Sequence, residues 1–300
     1  MTEKERTARE VAITSPGGPT LHARYWPVEL PRGVVVLAHG FGEHGGSYDA
    51  AVRAIGEAAR VDFVVPDLRG HGRSPGRRGV VRKYRELTDD LIAAFDWAGR
   101  ECPGLPRFVL GHSNGGQLAL RAALDPVAGP QIAGLVLSNP SLNLILRVPA
   151  YKLRLGRLLL RTAPWVTLAA PLETEKLTRD PEMRRERDAD PLCHGRISPP
   201  LFFGMIEGGR EVVERAGEVR NPVLMVLGAD DPVIDPDVSR AAFESLGSKD
   251  KTLVVFPGML HEPLNEIGRE QVYAAIVDWL NQRLPADPSA SVQTSAAPRS

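Results

Sequence analysis

Short, continuous runs of hydrophobic residues recur along the chain and alternate with longer amphipathic stretches. Most of these runs are rich in β-branched residues without regular polar alternation, which is typical of parallel strands covered on both faces. The first two runs flank a Ser-Pro-Gly-Gly turn at 15–18, which predicts an opening hairpin. Eight strands are predicted, at residues 11–14, 20–26, 34–38, 63–66, 108–110, 132–137, 223–227 and 252–256.

Amphipathic stretches between these runs predict helices. The alternation of strand and helix through short connections indicates an α/β fold, with a mostly parallel, eight-stranded sheet flanked by helices on both sides. The predicted helices span residues 48–60, 84–100, 117–124, 236–246 and 269–284.

The interval from 141 to 220 breaks this alternation, because it contains no convincing strand. Its leucine-rich and charge-rich pieces are interrupted by prolines at 149, 164, 171, 181, 191 and 199, which predicts a helical cap (lid) over the strand ends where open α/β sheets bind ligands. We therefore expect residues 1–140 and 221–284 to form an α/β core, with residues 141–220 inserted between them as the cap. Residues 285–300, rich in Pro, Ser and Ala, predict a disordered tail.

The composition is that of a globular protein without a dedicated charged partner. The chain has 37 Lys and Arg against 37 Asp and Glu, with 43% hydrophobic and 25% charged residues. The equal numbers of basic and acidic residues disfavour a nucleic-acid-binding function. There is no signal-peptide pattern and no run of about 20 apolar residues, so the expected location is cytoplasmic. Cys102 and Cys193 lack metal-ligand spacing, so we expect neither a disulfide framework nor a metal.

The sharpest motif is Gly-His-Ser-Asn-Gly at 111–115, directly after a predicted strand and before a helical stretch. This is the pattern G-x-S-x-G in the context that it requires, where glycines permit a cramped turn that exposes the hydroxyl of Ser113 above the sheet. The following helix directs its N-terminal N–H groups to the same spot. Ser113 is therefore the candidate nucleophile.

A serine hydroxyl needs a base to take its proton, and the base needs a carboxylate to orient it. Asp230 and Asp231 follow the strand at 223–227, and His261 follows the strand at 252–256. Both groups come just after strand ends, and the chain order serine, aspartate, histidine matches that of hydrolases with this motif. His261 is the candidate base.

An acyl-transfer site also needs two N–H donors where the oxyanion develops. One candidate is the N–H of Asn114. The other is in the loop His-Gly-Phe-Gly-Glu-His at 39–44, where the glycines on both sides of Phe41 let the backbone come close to a substrate.

With these motifs in this order, the chain resembles the monoacylglycerol lipase/lysophospholipase family of the α/β-hydrolase superfamily. The matching segments are HGFGEHGGSYD (39–49), DLRGHGRS (67–74), GHSNGG (111–116), GADDPVID (228–235) and GMLHEPLNE (258–266), and 177–192 is similar to the family's cap. The resemblance covers about residues 11–284. It implies the α/β-hydrolase fold and hydrolysis of an ester that joins a single acyl chain to glycerol or a small polar headgroup, through a serine acyl-enzyme and without a cofactor.

The resemblance also assigns roles to individual residues. It implies Ser113 as nucleophile, Asp231 rather than Asp230 as the triad acid, and His261 as base. It implies an oxyanion hole formed by the N–H groups of Phe41 and Asn114, and substrate-binding positions at Glu43 and His112. The chain departs from the family at Ser47, commonly Arg, which weakens the expectation of glycerol specificity, and at Asn114, commonly Met.

Other functions stay open on the sequence alone. A thioesterase or a peptidase would use the same triad, whereas a non-catalytic binding protein of this fold would normally have a broken one. Relatives with an aspartate nucleophile are disfavoured by Ser113. The expected partner is a small lipid ester, with no nucleic acid, and the oligomeric state is left open.

The first part of the cap carries positive charge. Residues 141–170 contain five basic residues and no acidic one, and Arg154, Arg157 and Arg161 share one helical face. A second face holds Tyr151, Leu155, Leu158, Leu159 and Thr162. One hypothesis is peripheral contact with an anionic bilayer through the cap, and the alternative is a solvated face above an acyl tunnel.

The remaining histidines and charged pairs are expected to have structural or surface roles and no part in the chemistry. His71 is expected to order a loop near the site, and His22 and His194 to be surface or structural residues. The pairs Asp89–Asp90 and Arg184–Arg185 are expected on solvated helix faces.

Overall fold

A computed structural model of the chain describes residues 8–143 and 148–286. It contains every strand that the sequence predicts; the strand at 20–26 has the predicted bounds, and the other seven are extended by one to three residues. The strands are β1 (Arg9–Thr14), β2 (Thr20–Trp26), β3 (Gly33–Ala38), β4 (Val61–Pro66), β5 (Arg107–His112), β6 (Ile132–Ser138), β7 (Leu168–Ala169), β8 (Arg196–Ile197), β9 (Val223–Gly228) and β10 (Lys251–Phe256).

Eight of these strands form one sheet in the order β1-β2-β4-β3-β5-β6-β9-β10. β1 and β2 form the predicted hairpin, and β2 pairs with β4 in the antiparallel sense. All the other neighbours are parallel. The prediction of a mostly parallel, eight-stranded sheet is therefore confirmed, with β3, β5 and β6 at its centre.

Helices cover both faces of the sheet. They are α1 (Asp49–Ala59), α2 (Arg85–Glu101), α3 (Asn114–Ala123), α4 (Ala150–Thr162), α5 (Pro181–Ala189), α6 (Pro199–Glu214), α7 (Pro236–Ser245) and α8 (Arg269–Asn281). Val34 and Val36 of β3 pack in a core with α2 and α3, whereas Val35 and Leu37 pack in a second core with α1 and α8. This alternation explains the continuous hydrophobic pattern, since both faces of the strand are buried.

α3 begins at Asn114, three residues before the predicted start at 117. Two glycines at 115 and 116 lower the intrinsic helix propensity of this turn, which explains the late predicted start. This turn packs so closely against β3 and Pro140 that only residues without a side chain fit there. Tertiary packing therefore outweighs the low intrinsic helix propensity of glycine at this point.

The segment between β6 and β9 holds α4, α5, α6 and the two short strands β7 and β8, which pair with each other. The expectation of no strand in this segment is wrong at that point, because strands of two residues are too short to leave a periodic pattern. β6 and β9 pair directly, so the segment is an insertion between neighbouring strands.

The division into a core of 1–140 and 221–284 and a cap of 141–220 remains our proposal. The tail predicted at 285–300 lies outside the described residues, apart from 285 and 286. Among the helices of the described ranges, none has the length and apolar character that crossing a bilayer would require.

Candidate active site

Ser113 lies in the turn between β5 and α3, with a backbone φ of 51° and ψ of −118°. A non-glycine residue in such a conformation costs roughly 1–3 kcal/mol and persists only where its surroundings hold it. The N–H of Ser113 donates to the carbonyl of Ser138 at 2.9 Å, and its carbonyl accepts from Ser141 at 2.9 Å. The end of β6 thus holds the strained turn in place.

The glycines of the motif are required by close backbone contacts. A Cβ at Gly115 would overlap the carbonyl of Ala38 in β3, and a Cβ at Gly111 would overlap the carbonyl of Gly115. Both are backbone contacts that no side-chain movement relieves. The G-x-S-x-G pattern therefore reflects the space available at this crossing of strand and helix.

Three residues that the sequence singled out form one continuous hydrogen-bonded line. Nε2 of His261 lies 2.9 Å from Oγ of Ser113, and Nδ1 of His261 lies 2.7 Å from Oδ2 of Asp231. All three side chains are buried, whereas Asp230 is exposed. Of the two neighbouring aspartates, the one implied by the resemblance is the one that contacts His261.

Asp231 is held as a carboxylate by several donors. Its Oδ1 accepts from the N–H groups of Val233 and Ile234 at 2.7 and 3.0 Å, and Nδ2 of Asn139 donates to Oδ2. Burial would raise the pKa of Asp231, but His261 and the backbone N–H groups of Ile234 and Val233 lower that pKa below its usual range. An ionised Asp231 accepts the proton of Nδ1, which leaves Nε2 of His261 free to accept the proton of the serine hydroxyl.

Asn139 is a residue that the sequence analysis missed. It is the first residue after β6, with φ 40°, and its Oδ1 accepts from the N–H of Gly228 at 2.9 Å. Its side chain therefore joins the ends of β6 and β9 at the carboxylate of Asp231. The sequence feature that could have identified Asn139 is its position, because it directly follows a central strand on the same rim of the sheet as Ser113.

The candidate oxyanion loop runs beside Ser113. A Cβ placed on Gly40 would lie 3.3 Å from Cβ of Ser113. Within the described ranges, the N–H groups of Phe41 and Asn114 donate to no protein acceptor. Asn114 also begins α3, so its N–H lies at the positive end of the helix. Two unused donors next to a serine hydroxyl are what a developing oxyanion needs.

The side chain of Asn114, where the family commonly has methionine, faces away into a polar contact. The hydroxyl of Tyr84 lies 2.6 Å from its Oδ1 and is also close to the side-chain oxygen of Gln117, so its one proton is shared between these two acceptors. Gln117 in turn donates to the carbonyls of Ser141 and Met205. The side chain of Asn114 is therefore held by Tyr84, and Gln117 ties α3 to α6.

The loop with Phe41 is covered by the insertion. The N–H of His194 donates to the carbonyl of Gly42 at 2.8 Å, and the Phe41 ring packs edge-on against the rings of His71 and His194. Nδ1 of His71 lies 3.1 Å from the carbonyl of Arg69, so His71 orders a loop at the site, as predicted.

Glu43 and His112 lie beside this line of residues and contact protein groups. Glu43 accepts from the N–H of Gly40 and the hydroxyl of Tyr48, both at 2.5 Å. Nδ1 of His112 lies 3.2 Å from Oγ of Ser138, and its ring centroid is 5.0 Å from that of His261. Burial and the charge of His261 lower the pKa of His112 to about 3, so it is neutral at ordinary pH. Their role in substrate binding stays a prediction.

The prediction that Asp89 and Asp90 both lie on a solvated helix face is wrong for Asp90. Asp90 is fully buried and accepts from Nε and Nη2 of Arg69 at 2.8 and 2.6 Å, whereas its neighbour Asp89 is half-buried. The sequence alone could not separate two adjacent aspartates on a helix, because the partner lies 21 residues away.

His44, Asp190 and Cys193 form a cluster of ligand-type atoms within 4.8 Å of one another. The N–H of Gly46 donates to Nδ1 of His44, so Nε2 carries the proton and donates to Asp190 at 2.7 Å. Burial raises the pKa of Cys193 to about 12, which keeps it a thiol, whereas metal binding needs a thiolate. The cluster fits a hydrogen-bonded contact, and the absence of a metal remains an expectation.

A mostly apolar cavity of about 220 Å³ opens beside Ser141, whose N–H bonds the carbonyl of Ser113. It lies between the end of β6 and helices α4 and α6. Its described lining residues are Ser141, Leu142, Asn143, Val148, Leu153, Phe202, Met205 and Ile206.

A sheet of this strand order, with a serine in the tight turn between its central strand β5 and a helix, defines the α/β-hydrolase fold. A family model described as serine aminopeptidase, S33, matches residues 29–268, which is more than half of the chain. The protein is a hydrolase that belongs to this family and, within the superfamily, to the monoacylglycerol lipases and their relatives.

Individual relatives agree with this placement. A monoacylglycerol lipase of Mycolicibacterium smegmatis is 32% identical over 93% of this chain and 99% of its own length. The human monoglyceride lipase is 29% identical over 93% and 92% of the two chains. The crystal structure of a Paleococcus ferrophilus monoacylglycerol lipase superposes with a TM-score of 0.79, at 32% identity over 88% and 99%.

Proposed function

We propose that the protein is a serine hydrolase that cleaves the carboxylic ester of a single acyl chain, of the monoacylglycerol or lysophospholipid type. The observation that carries the proposal is the unbroken line from Ser113 through His261 to Asp231, next to two unused N–H groups. The names of the relatives support the substrate class.

In the proposed reaction, Oγ of Ser113 attacks the ester carbonyl carbon while Nε2 of His261 takes the hydroxyl proton. The N–H groups of Phe41 and Asn114 bind the carbonyl oxygen as it becomes an anion. His261 then gives the proton to the departing alcohol, which leaves an acyl group on Ser113. A water molecule, deprotonated by His261, releases the fatty acid and restores the serine.

The cavity beside Ser141 is the proposed acyl site. It begins next to the backbone of Ser113, and its lining is mainly aliphatic and aromatic, which suits a hydrocarbon chain. Glu43 and His112 remain our proposed residues for the headgroup end. No cofactor or metal enters any step of this mechanism.

A thioesterase or a peptidase is the alternative, and the family model described as a serine aminopeptidase favours testing peptides directly. The experiment is a panel of monoacyl-, diacyl- and triacylglycerols, lysophospholipids, short p-nitrophenyl esters, acyl thioesters and aminoacyl p-nitroanilides, with Ser113→Ala as control. We expect monoacyl esters to give the largest kcat/KM. A larger value for thioesters or anilides would overturn the assigned substrate class.

We also propose that α4 makes peripheral contact with anionic membranes. Tyr151, Leu155 and Leu158 lie on one stripe and are 66%, 42% and 58% exposed. Gly156 on the opposite side packs against Phe203, so the apolar stripe faces solvent and not the protein. Leu159, grouped with the stripe on the sequence, is half-buried.

The exposed arginines Arg154, Arg157 and Arg161 share this helix with the apolar stripe. Each basic residue near an anionic surface contributes about 1 kcal/mol, so replacing all three by Gln should weaken binding to phosphatidylserine-containing vesicles by roughly 100-fold. The salt sensitivity of binding should decrease, while hydrolysis of a soluble short ester stays unchanged. Unchanged vesicle binding, or no binding by the parent, would refute the docking proposal.

The matched control replaces three exposed arginines outside α4, Arg77, Arg100 and Arg210, by Gln. It changes the net charge equally, so a similar loss of vesicle binding would show a general charge effect and not a specific face. The proposed location is cytoplasmic with this peripheral contact.

A further inference from the structure

One buried cation connects the insertion to both loops of the site. Arg187 is on α5, and its Nη1 donates to Oε2 of Glu43 at 3.1 Å and to Oε1 of Glu262 at 2.9 Å. The three side chains are 14%, 2% and 7% exposed. A single nitrogen atom thus lies between two carboxylates that come from different parts of the core.

Glu43 fixes the loop that carries the candidate oxyanion donor. Its Oε1 accepts from the N–H of Gly40, the residue before Phe41, and from the hydroxyl of Tyr48. Since Oε2 is bonded to Arg187, both oxygens are occupied. The position of the Phe41 N–H therefore depends on where this carboxylate is held.

Glu262 is the residue after His261 and fixes the second loop. Its backbone N–H donates to the carbonyl of Leu177 at 2.8 Å, and its Oε2 accepts from Nδ2 of Asn265 at 3.2 Å. A displacement of Glu262 would therefore move His261 relative to Ser113.

The charges around this bridge are unbalanced without the arginine. His39, His112 and Tyr48 surround Glu43. His261 and Asn265 lie near Glu262, and the half-buried Cys193 thiol lies near the guanidinium. Burial alone would raise the pKa of Glu43, but Arg187, followed by His112 and Tyr48, lowers it to about 2. Burial also raises the pKa of Glu262, and Arg187 opposes this shift. Removing the cation would leave two buried carboxylates facing each other.

We propose that Arg187 is a positioning residue, whose guanidinium holds the loop of Phe41 and the loop of His261 in the arrangement needed for catalysis when α5 is docked. This inference rests on the proposed hydrolase function. It makes the insertion a part of the active-site scaffold, because the site reaches its working geometry only with α5 in place.

The test compares kcat/KM for a short p-nitrophenyl ester between pH 6 and pH 9 in the parent and in Arg187→Gln. In the variant, Glu262 is expected to bind a proton at low pH, which leaves one carboxylate and a nearly intact site. At high pH both carboxylates ionise and repel each other. We expect the ratio of variant to parent activity to fall at least about tenfold from pH 6 to pH 9.

Removing the second carboxylate should remove this pH dependence. In Arg187→Gln/Glu262→Gln the ratio to the parent should become constant with pH and exceed that of the single variant at pH 9. Arg187→Lys, which keeps a cation, should retain the pH profile of the parent with a smaller loss. The matched control is Arg185→Gln on the same helix, whose side chain is exposed and which should behave as the parent.

A merely structural arginine would lower activity equally at every pH, and a ratio that stays constant in Arg187→Gln would overturn the proposal. If Arg187→Gln does not fold, the double variant must fold and be active, and its failure would also overturn the proposal. The proposed function is tested separately, since a parent that hydrolyses no ester and is not labelled at Ser113 by a fluorophosphonate would refute that function and not this bridge.

Discussion

Replacing Asp231 by Asn changes a carboxylate into an amide of nearly the same shape, and the surrounding donors determine the result. The N–H groups of Val233 and Ile234 both point at Oδ1, at 2.7 and 3.0 Å. An amide NH₂ in that place would face two donors, so the amide oxygen of the new side chain must occupy it. The NH₂ group is then turned towards His261.

An NH₂ group facing Nδ1 makes that nitrogen an acceptor, so the imidazole proton moves to Nε2. Nε2 then donates to Ser113 and cannot take the proton of its hydroxyl. The Nδ2 group of Asn139 points at the same position and adds a second donor to it. Loss of the correct tautomer costs about 10⁴-fold in kcat in a triad of this type. We expect a loss of about 10³–10⁴-fold.

The control is Asp230→Asn, which makes the same change of charge one residue earlier. The Asp230 side chain is exposed, and within the described ranges its carboxylate makes no hydrogen bond. We expect its kcat to stay within about threefold of the parent value. The assay is hydrolysis of a short p-nitrophenyl ester at pH 8, with thermal unfolding to verify that both variants fold. Equal losses in the two variants would refute this reasoning.

Two further predictions concern pH. Activity should fall as the solution is acidified, because a protonated His261 cannot take the proton of the Ser113 hydroxyl; a flat rate profile between about pH 5.5 and 8 would contradict this. Stability should decrease as the pH falls below about 6.5, since burial lowers the pKa of several histidines and the unfolded chain then binds more protons than the folded one. The fully buried ones should each remove up to about 1.4 kcal/mol per pH unit, and a melting temperature that does not drop between pH 6.5 and 5.5 would be inconsistent with that. These histidines are His39, His71 and His112.

The sequence predicted the sheet and the positions of Ser113 and His261 because these follow from local patterns, whereas the choice of Asp231 over Asp230 came from the family resemblance. Continuous β-branched runs identify strands buried on both faces, and parallel strands bring their carboxyl ends to one rim. Ser113, Asp231 and His261 each follow such a strand end. Their proximity in the structure therefore follows from the topology.

The contacts between the insertion and the core could not be predicted from any local sequence pattern. Arg187 is 144 residues from Glu43 and lies in a charged stretch, where no periodicity distinguishes a buried arginine from its exposed neighbour Arg185. The sequence also could not predict which face of α4 packs against the protein, because the apolar residues of this helix occupy more than one face. Burial in such segments depends on tertiary packing and not on the local pattern.

The central claim is that Ser113 is a nucleophile activated by His261, and covalent labelling tests it most directly. After incubation with a fluorophosphonate probe, intact mass and peptide mapping should show one adduct per parent chain, on Ser113. Ser113→Ala should fold, remain unlabelled and lose up to roughly a million-fold in turnover. An adduct on another residue, or a Ser113→Ala variant that keeps more than a few per cent of the parent activity, would contradict the claim.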